Sequence, residues 1–188
     1  DAARAAGGIG YAGVATVTMS LARGVINRPG TGFLVPPVER RLLVGCTWLS
    51  QKWPHLASPG GADVVRCMVG RDGDQAWQTM DDATLVDAVC RELGDALGMD
   101  RSRAADLVVP QETFVRRLPQ AMPQYTVGHL GRLAALEAEL ARHPGLHVVG
   151  AGYRGVGIAS CIAQARTLAT SMAGVSAPVP SGAGGTSR

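Results

Sequence analysis

The sequence predicts a mixed fold (α+β / α/β), in which an antiparallel sheet precedes a strand, a glycine-rich turn and a closing helix. Three observations support this fold class. Segments rich in β-branched residues alternate with turns over residues 11–70. Two later segments carry apolar residues at helical spacing, and a hydrophobic run at 146–152 leads through glycines into a further helical pattern. Strands and helices in that order are typical of separate sheet and α/β parts.

The first half of the chain contains the predicted sheet. Residues 11–21 (YAGVATVTMSL) are β-branched and small, which favours a strand. Residues 32–50 (GFLVPPVERRLLVGCTWLS) predict two short strands on either side of the Pro36-Pro37 corner, and residues 62–70 (ADVVRCMVG) predict another. Because short turns join these segments, antiparallel pairing is the simplest arrangement.

Two segments predict amphipathic helices. Over 82–97 the apolar residues recur at helical spacing behind two aspartates able to cap the helix, and Gly98 ends it. Over 129–143 four leucines share one helix face, and Pro144-Gly145 terminates the segment. The residues that define the two faces are Leu85, Val86, Val89, Leu93 and Leu97 in the first, and Leu130, Leu133, Leu136 and Leu140 in the second.

The pattern GxGxxG occurs twice. The match at Gly8, Gly10 and Gly13 precedes a strand-like segment, which is the reverse of a dinucleotide-binding turn, and chance glycine content explains it. The match at positions 150, 152 and 155 follows the run LHVVGAG (146–152), predicted to be a buried parallel strand, and precedes a helical pattern starting near Gly157. Glycines and a helix N-terminus can accommodate an anion or an electron-rich ring, although a close-packed turn without a ligand also explains this second match.

The second match cannot be the primary nucleotide site. A dinucleotide-binding unit needs a further strand with an acidic residue about 20 positions on. Here the chain instead continues into residues 175–188 (VSAPVPSGAGGTSR), which have too little apolar surface to fold and are predicted to be a disordered tail.

Composition excludes several classes of protein. The net charge of +3 is spread without a dense basic run, so nucleic acid is not an expected partner. The four cysteines lie in apolar stretches and are expected to be reduced core residues, as in a cytoplasmic protein, which we favour over a disulfide or metal role. No segment has the length of a transmembrane helix or the pattern of a signal peptide, so the chain is expected to be neither spanning nor secreted. It begins with Asp1, which suggests a cut edge.

Four stretches resemble one enzyme family. AMPQYTVGH (121–129) followed by GAGYRGVGIASCI (150–162) resembles the carboxyl-terminal signature of the protoporphyrinogen and coproporphyrinogen III oxidases, flavin-dependent members of the amine-oxidase-like superfamily. GFLVPPVE (32–39) and WLSQKWP (48–54) resemble their substrate-domain strands. The stretches occur in the family's order and together cover most of residues 1–174.

The resemblance implies a partial FAD-dependent amine-oxidase-like fold. Residues 1–116 would be a portion of the substrate-binding domain and residues 117–174 the carboxyl-terminal portion of the FAD-binding domain, ahead of the disordered tail at 175–188. The resemblance further implies that the amino-terminal segment, which holds most of the FAD in the family, is not part of these 188 residues. The FAD contacts implied by the resemblance are Ala151, Val156, Gly157 and Ile158.

The implied reaction is the oxidation of a porphyrinogen in haem biosynthesis, by repeated hydride transfer to FAD. Molecular oxygen reoxidises the flavin and yields hydrogen peroxide. The substrate is either coproporphyrinogen III or protoporphyrinogen IX, the fragment alone is expected to be inactive, and peripheral membrane association stays open. No catalytic side chain and no metal site are assigned, because such catalysis depends on positioning against the flavin.

Two alternatives and two departures accompany the resemblance. The chain could belong to another amine-oxidase-like flavoprotein, such as a carotenoid desaturase, or be a non-catalytic remnant that binds porphyrin. Ala159 and Ser160 replace a proline and an acidic residue common at the helix start in relatives. Leu118 follows Arg117 where relatives often have tryptophan, so a flat wall beside the flavin or substrate is expected to be lost.

Several other residues have competing interpretations. His129 is expected to cap the following helix or bond a neighbouring loop rather than to act as a base, and Tyr125 either lines the active site or anchors its loop. Lys52 is expected to extend its charged end to solvent beside a half-buried Trp53. The candidate partners for substrate propionates, which the sequence does not rank, are Arg40, Arg41, Arg66, Arg116 and Arg117.

Overall fold

The fold is taken from a computed structural model that describes residues 2–57, 61–100 and 108–174. The chain forms two compact units, one made of residues 11–122 and one made of residues 1–10 together with 123–188. The predicted tail at 175–188 lies outside the described residues. The division into substrate-binding and FAD-binding domains, with a boundary at 116/117, stays a prediction.

The unit of residues 11–122 is built on a five-stranded antiparallel sheet in the order β2-β3-β4-β1-β5, which confirms the predicted sheet. In β1 and β4, Val17 lies opposite Cys67 and Met19 opposite Val65. A β-bulge offsets β3 from β4 between Leu43 and Gly45. The strands are β1 Tyr11–Leu21, β2 Gly32–Leu34, β3 Leu43–Trp48, β4 Asp63–Val69 and β5 Glu112–Pro123.

One long helix covers this sheet. We number the helices in chain order, so that α1 is Ala2–Gly7, α2 is the single turn Leu49–Lys52 and the covering helix α3 is Asp82–Ala96. The Asp81 side chain accepts a hydrogen bond of 2.7 Å from the Thr84 N–H, and this bond lowers the pKa of Asp81. The predicted N-cap and helix are therefore confirmed.

The core lies between α3 and one face of the sheet. Alternate residues of β1 and β4 face the helix, as the period of a strand requires. Glu92 on α3 accepts hydrogen bonds from the backbone N–H groups of Leu42 and Leu43, at 3.1 and 2.7 Å, and so joins the helix to β3. The fully buried residues of this core include Val17, Met19, Leu21, Val65, Val69, Trp77, Leu85, Val89 and Leu93.

Three of the four cysteines belong to this core, as predicted. Cys46, Cys67 and Cys90 are buried free thiols. Cys161 is free but only partly buried, so its prediction as a core residue is wrong. It lies on a helix with no buried residue, where an apolar stretch in the sequence does not imply burial.

The first GxGxxG match has a structural explanation. The short helix α1 precedes these glycines and β1 follows them, which confirms that the order is the reverse of a dinucleotide-binding turn. A side chain at Gly13 would place its Cβ 2.9 Å from the Pro119 carbonyl oxygen and 3.1 Å from the Trp77 ring. Gly13 therefore serves close packing within the sheet unit.

The second unit contains the remaining two helices, α4 (His129–Leu140) and α5 (Ile158–Met172). The predicted helix at 129–143 is confirmed, although it ends three residues early, and Gly145 follows with a φ of +87°. None of the described helices has the length and hydropathy needed to cross a membrane.

The predicted strand at 146–152 is wrong. Within the described residues no β ladder includes this segment, and the side chains of Leu146 and Val149 are 52% and 42% exposed. A parallel strand needs neighbouring strands to bond its backbone N–H and C=O groups, and the described part of this unit supplies no such neighbour. Apolar composition alone therefore did not produce a strand here.

Candidate functional site

A glycine-rich turn connects residue 149 to α5. Its glycines Gly150, Gly155 and Gly157 have φ angles of +134°, +134° and +120°, a region that favours glycine. A side chain at Gly155 would also place its Cβ 2.9 Å from both Cβ and Oγ of Ser160. The sequence of this turn is therefore dictated by its backbone conformation and by close packing on the first turn of α5.

Tyr125 holds the turn together through its hydroxyl group. The hydroxyl donates a hydrogen bond of 2.6 Å to the Ala151 carbonyl oxygen and accepts one of 2.8 Å from the Gly155 N–H. One side chain thus fastens both sides of the turn. Of the two roles that the sequence left open for Tyr125, the structure shows the loop anchor.

His129 supports Tyr125 from the start of α4. Its ring stacks on the Tyr125 ring, with centroids 3.9 Å apart and an interplanar angle of 13°. His129 is 7% exposed, and its Nε2 donates a hydrogen bond of 2.9 Å to the Tyr153 carbonyl oxygen. The expectation that His129 bonds a neighbouring loop is confirmed.

Two contacts of the turn were missed from the sequence. Gln164 on α5 accepts a hydrogen bond of 3.3 Å from the Gly150 N–H, and its amide donates to the Ser160 carbonyl oxygen at 3.2 Å. Arg154 forms an exposed ion pair with Glu137 of α4. The spacing offered one signal, since Gln164 lies seven residues after Gly157 and two helical turns bring it back to the same face.

The start of α5 is uncapped and open. Gly157 occupies the N-cap position without a side-chain cap, no acidic residue lies in the first turn, and a Cβ added to Gly157 would meet nothing within 4 Å. The first bond of the helix runs from the Cys161 N–H to the Gly157 carbonyl oxygen, so the N–H groups before Cys161 have no partner within the helix. They concentrate positive partial charge at an accessible point.

Exposed apolar side chains flank this helix start. Val156 is 47% exposed and Ile158 is 81% exposed, on either side of Gly157. The Tyr125 hydroxyl links Ala151 to Gly155, the residue before Val156, through its two hydrogen bonds. The structure thus brings all four predicted contact residues to one turn, and their contact with a flavin stays a prediction. The turn fits the edge of a planar, electron-rich ring, because it offers N–H donors beside apolar surface and open space.

An apolar cleft of about 830 Å³ lies in the same unit, between α4, residues 143–149 and the face of α5 that carries Gln164 and Leu168. Its lining includes Leu133, Leu136, Leu146, Val149 and Leu168. No residue of α5 is buried, so this helix presents apolar surface over much of its length.

In the unit of residues 11–122, the face of the sheet opposite α3 is a second candidate surface, which we call the open sheet face. Arg66 rises from the middle of β4, directly opposite Thr18 of β1 and Thr47 of β3. Its Nε donates a hydrogen bond of 3.1 Å to the Thr18 hydroxyl. Strand alternation places these outward residues on the open sheet face: Thr16, Thr18 and Ser20 of β1, Val64, Arg66 and Met68 of β4, and Glu112, Phe114, Arg116 and Leu118 of β5.

The structure ranks the candidate arginines. Arg41 pairs with Asp95 at 2.7 Å, and this bond raises the pKa of Arg41. Arg117 bonds Asp82 at 2.7 Å and the Trp77 and Met80 carbonyl oxygens at 2.9 Å each. The guanidinium groups of Arg41 and Arg117 therefore already have hydrogen-bond partners within the fold.

Arg66 and Arg116 differ from that pair, because both are exposed and neither has a carboxylate partner among the described residues. Arg40 ends a 3₁₀ turn with a φ of +50° and lies outside the sheet.

The Lys52 ammonium lies 4.7 Å from the centroid of the Trp53 ring, which is 40% exposed, as expected from the sequence. Across the described ranges, no group of three or more His, Cys, Asp or Glu side chains is arranged to hold a metal ion.

Comparison with known proteins identifies relatives over nearly the whole chain. The family model described as flavin containing amine oxidoreductase matches residues 1–173. Coproporphyrinogen III oxidase of Bacillus subtilis is 33% identical over 156 residues, which are 81% of this chain and 32% of the relative. The enzyme of the same name from Staphylococcus aureus is 34% identical over 159 residues, or 83% and 32% of the two chains. This chain thus spans about a third of the length of these relatives.

Solved structures give the same result for the fold. A putative protoporphyrinogen oxidase from Exiguobacterium superposes with a TM-score of 0.74 at 32% identity, over 88% of this chain and 35% of that one. Reduced UDP-galactopyranose mutase superposes with a TM-score of 0.57 at 14% identity, over 90% of this chain and 36% of that one. The second likeness concerns the fold alone.

Proposed function

We propose, since the chain belongs to the flavin-containing amine oxidoreductase family, that it is part of an enzyme that oxidises a porphyrinogen to the porphyrin. The reaction uses FAD and molecular oxygen and releases hydrogen peroxide. The names of the relatives at 33–34% identity support this substrate class. Because the chain spans about a third of their length, the activity is proposed for a whole protein, and the 188 residues alone are expected to be inactive.

The open start of α5 is the observation that carries the proposal. FAD, when bound, supplies the hydride acceptor and the route for electrons to oxygen. Ala151, Val156, Gly157 and Ile158 would contact the isoalloxazine ring, with the apolar side chains excluding water from it. The unpartnered N–H groups of the first helical turn would stabilise negative charge that develops on the ring. Tyr125 holds the turn that precedes these groups, through its bonds to the Ala151 carbonyl oxygen and the Gly155 N–H, before the ligand arrives.

The open sheet face would bind the substrate. A porphyrinogen combines an apolar macrocycle with carboxylate side chains, so it needs apolar contact area together with fixed cations. Phe114 and Leu118 are 62% and 37% exposed and supply apolar area beside Arg116. Arg66 already holds one fixed orientation through Thr18, which leaves its two terminal amino groups for a carboxylate.

The decisive experiment assays the complete protein for porphyrin fluorescence with coproporphyrinogen III and protoporphyrinogen IX under air. Arg66→Ala is expected to raise KM about tenfold, because a charge-assisted hydrogen bond contributes about 1.5–3 kcal/mol when intact and less at an exposed site. Arg91→Ala is the matched control, since Arg91 is an exposed arginine on α3, across the sheet from the open sheet face. It should leave KM unchanged.

Other outcomes would redirect the assignment. Oxidation of amines without any porphyrin formation would place the protein elsewhere in the flavin-containing amine oxidoreductase family. Porphyrin binding without peroxide release would indicate a binding remnant. Stoichiometric FAD in the purified 188-residue chain would contradict the expectation that this chain alone lacks most of the flavin site.

A further inference from the structure

Two cysteine side chains face each other across the central strands of the sheet. Cys46 of β3 lies directly opposite Cys67 of β4, and their Sγ atoms are 3.4 Å apart. Directly opposite residues of antiparallel strands have Cα atoms about 4.5–5.5 Å apart. Disulfides form at Cα separations of about 4.4–6.8 Å. The backbone of this pair is therefore already placed for an S–S bond.

The pair lies in a sulfur-rich, sealed part of the core. Cys46 and Cys67 are 1% and 0% exposed. Beside them, the Cys90 thiol of α3 lies 3.6 Å from the Met19 Sδ of β1. The hydrogen bond to Cys46 and burial raise the pKa of Cys67, and burial raises the pKa of Cys90 to about 11. The raised pKa values keep the Cys67 and Cys90 thiols neutral in the folded protein, within the core that α3 covers.

We propose that Cys46 and Cys67 form a reversible oxidation site, a dithiol that hydrogen peroxide converts into a disulfide joining β3 to β4. The inference goes beyond the proposed function and does not depend on it, because the peroxide can come from outside the protein. Closing this bond fixes a loop from residue 46 to residue 67, which includes α2 and the exposed Trp53.

The chemistry balances with one peroxide molecule. One thiol loses its proton and its sulfur attacks a peroxide oxygen, so the O–O bond breaks and yields a sulfenic acid and one water. The sulfur of the second thiol then attacks the sulfenic sulfur, the S–O bond breaks, and a second water leaves with the thiol proton. Two thiols are oxidised by two electrons, and hydrogen peroxide is reduced to two waters.

The first step is slow because the reacting thiol is buried, and the second step is fast because the two sulfur atoms are already adjacent. A neutral buried thiol reacts only when local opening of α3 admits peroxide and lets the proton leave. Once the sulfenic acid exists, the partner sulfur is already in contact with it, so disulfide formation outruns further oxidation. Mild urea below the unfolding transition should therefore accelerate the reaction several-fold without changing its product.

The test treats the 188-residue chain with hydrogen peroxide, in buffer and in mild urea, removes the peroxide with catalase and blocks free thiols in denaturant. Non-reducing tryptic digestion follows, and cleavage after Lys52 and Arg66 separates the two cysteines onto different peptides. Mass spectrometry is expected to find a linked Cys46–Cys67 peptide pair that dithiothreitol separates. Cys161, which is partly exposed, should instead be blocked or singly oxidised.

The digest of the wild-type chain alone decides whether the Cys46–Cys67 disulfide forms, and two variants test which cysteines it requires. Cys90→Ala should retain the linked pair, and Cys46→Ala should abolish it. The proposal is overturned if the linked pair is absent both in buffer and in mild urea. It is also overturned if the products are sulfinic acids on single cysteines or disulfides that involve Cys90 or Cys161.

Discussion

Replacing Tyr125 with phenylalanine tests the architecture of the glycine-rich turn. The change removes one hydroxyl group and keeps the ring, so the stack on His129 survives. Two hydrogen bonds disappear, the bond of 2.6 Å to the Ala151 carbonyl oxygen and the bond of 2.8 Å from the Gly155 N–H. No other described side chain joins these two backbone groups.

The expected cost follows from those two bonds. Each hydrogen bond contributes a net ~0.5–1.5 kcal/mol to folding. Tyr125 is 43% exposed, so water can replace part of what is lost. We therefore expect Tyr125→Phe to lower the free energy of unfolding of the unit that contains the turn by about 1–2 kcal/mol, a factor of about 5–30 in its unfolding equilibrium.

Hydrogen exchange provides the assay, because it reports on one unit separately from the other. The Gly155 amide should exchange about tenfold faster in Tyr125→Phe, and amides of α4 and α5 should follow. Tyr11→Phe is the matched control, since Tyr11 is also 43% exposed and its hydroxyl makes no hydrogen bond within the described residues. If the Gly155 amide exchanges at the same rate in both variants, the Tyr125 hydroxyl does not hold the turn.

Two further pairs of substitutions address the same turn. Val156→Glu in the complete protein should stabilise α5 by about 0.3–1 kcal/mol through the helix dipole. The same change should lower the flavin content measured by absorbance several-fold, whereas the control Val156→Thr should retain flavin. Equal flavin content in the two variants would show that Val156 is not part of the proposed site. Gly155→Ala and Gly150→Ala share a φ of +134° and should each cost about 1–3 kcal/mol in backbone strain. Only Gly155→Ala also collides with Ser160, so urea unfolding should show it to be less stable by about 1 kcal/mol or more, and equal stabilities would exclude that collision.

Features set by local sequence were predicted well. β1 begins and ends at the predicted residues, because β-branched residues favour extended backbone. α3 was predicted from its apolar spacing and its aspartate cap, both of which act within one element. The position of Gly8, Gly10 and Gly13 before a strand-like segment was likewise enough to exclude a dinucleotide-binding turn at the first GxGxxG match, and the structure agrees.

Features set by distant partners could not be predicted. The segment at 146–152 has the composition of a strand, but a strand exists only where neighbours complete its hydrogen bonds. The roles of Arg66 and Arg117 depend on partners 48 and 35 residues away. The contact of Cys46 with Cys67 follows from strand register, which the spacing of cysteines in the sequence does not reveal.

The glycine-rich turn and the helix that follows it were predicted only in part from the sequence. The turn and the helix at Ile158–Met172 were predicted from glycines followed by an apolar period of helical length. The anchoring role of Tyr125 remained one of two alternatives, because its acceptor and donor lie 26 and 30 residues further along the chain. Only the folded arrangement decides between them.

The two compact units differ in how they can form during synthesis. Residues 11–122 are continuous, so this sheet can fold as soon as they leave the ribosome. The other unit joins residues 1–10 to residues 123 onward, so the contacts that this unit provides to the buried Ile9 can form only after residues 11–122 have been translated. A nascent chain paused near residue 122 therefore carries a continuous sheet unit that can already be folded, whereas residues 1–10 still lack the contacts that residues 123 onward supply to them.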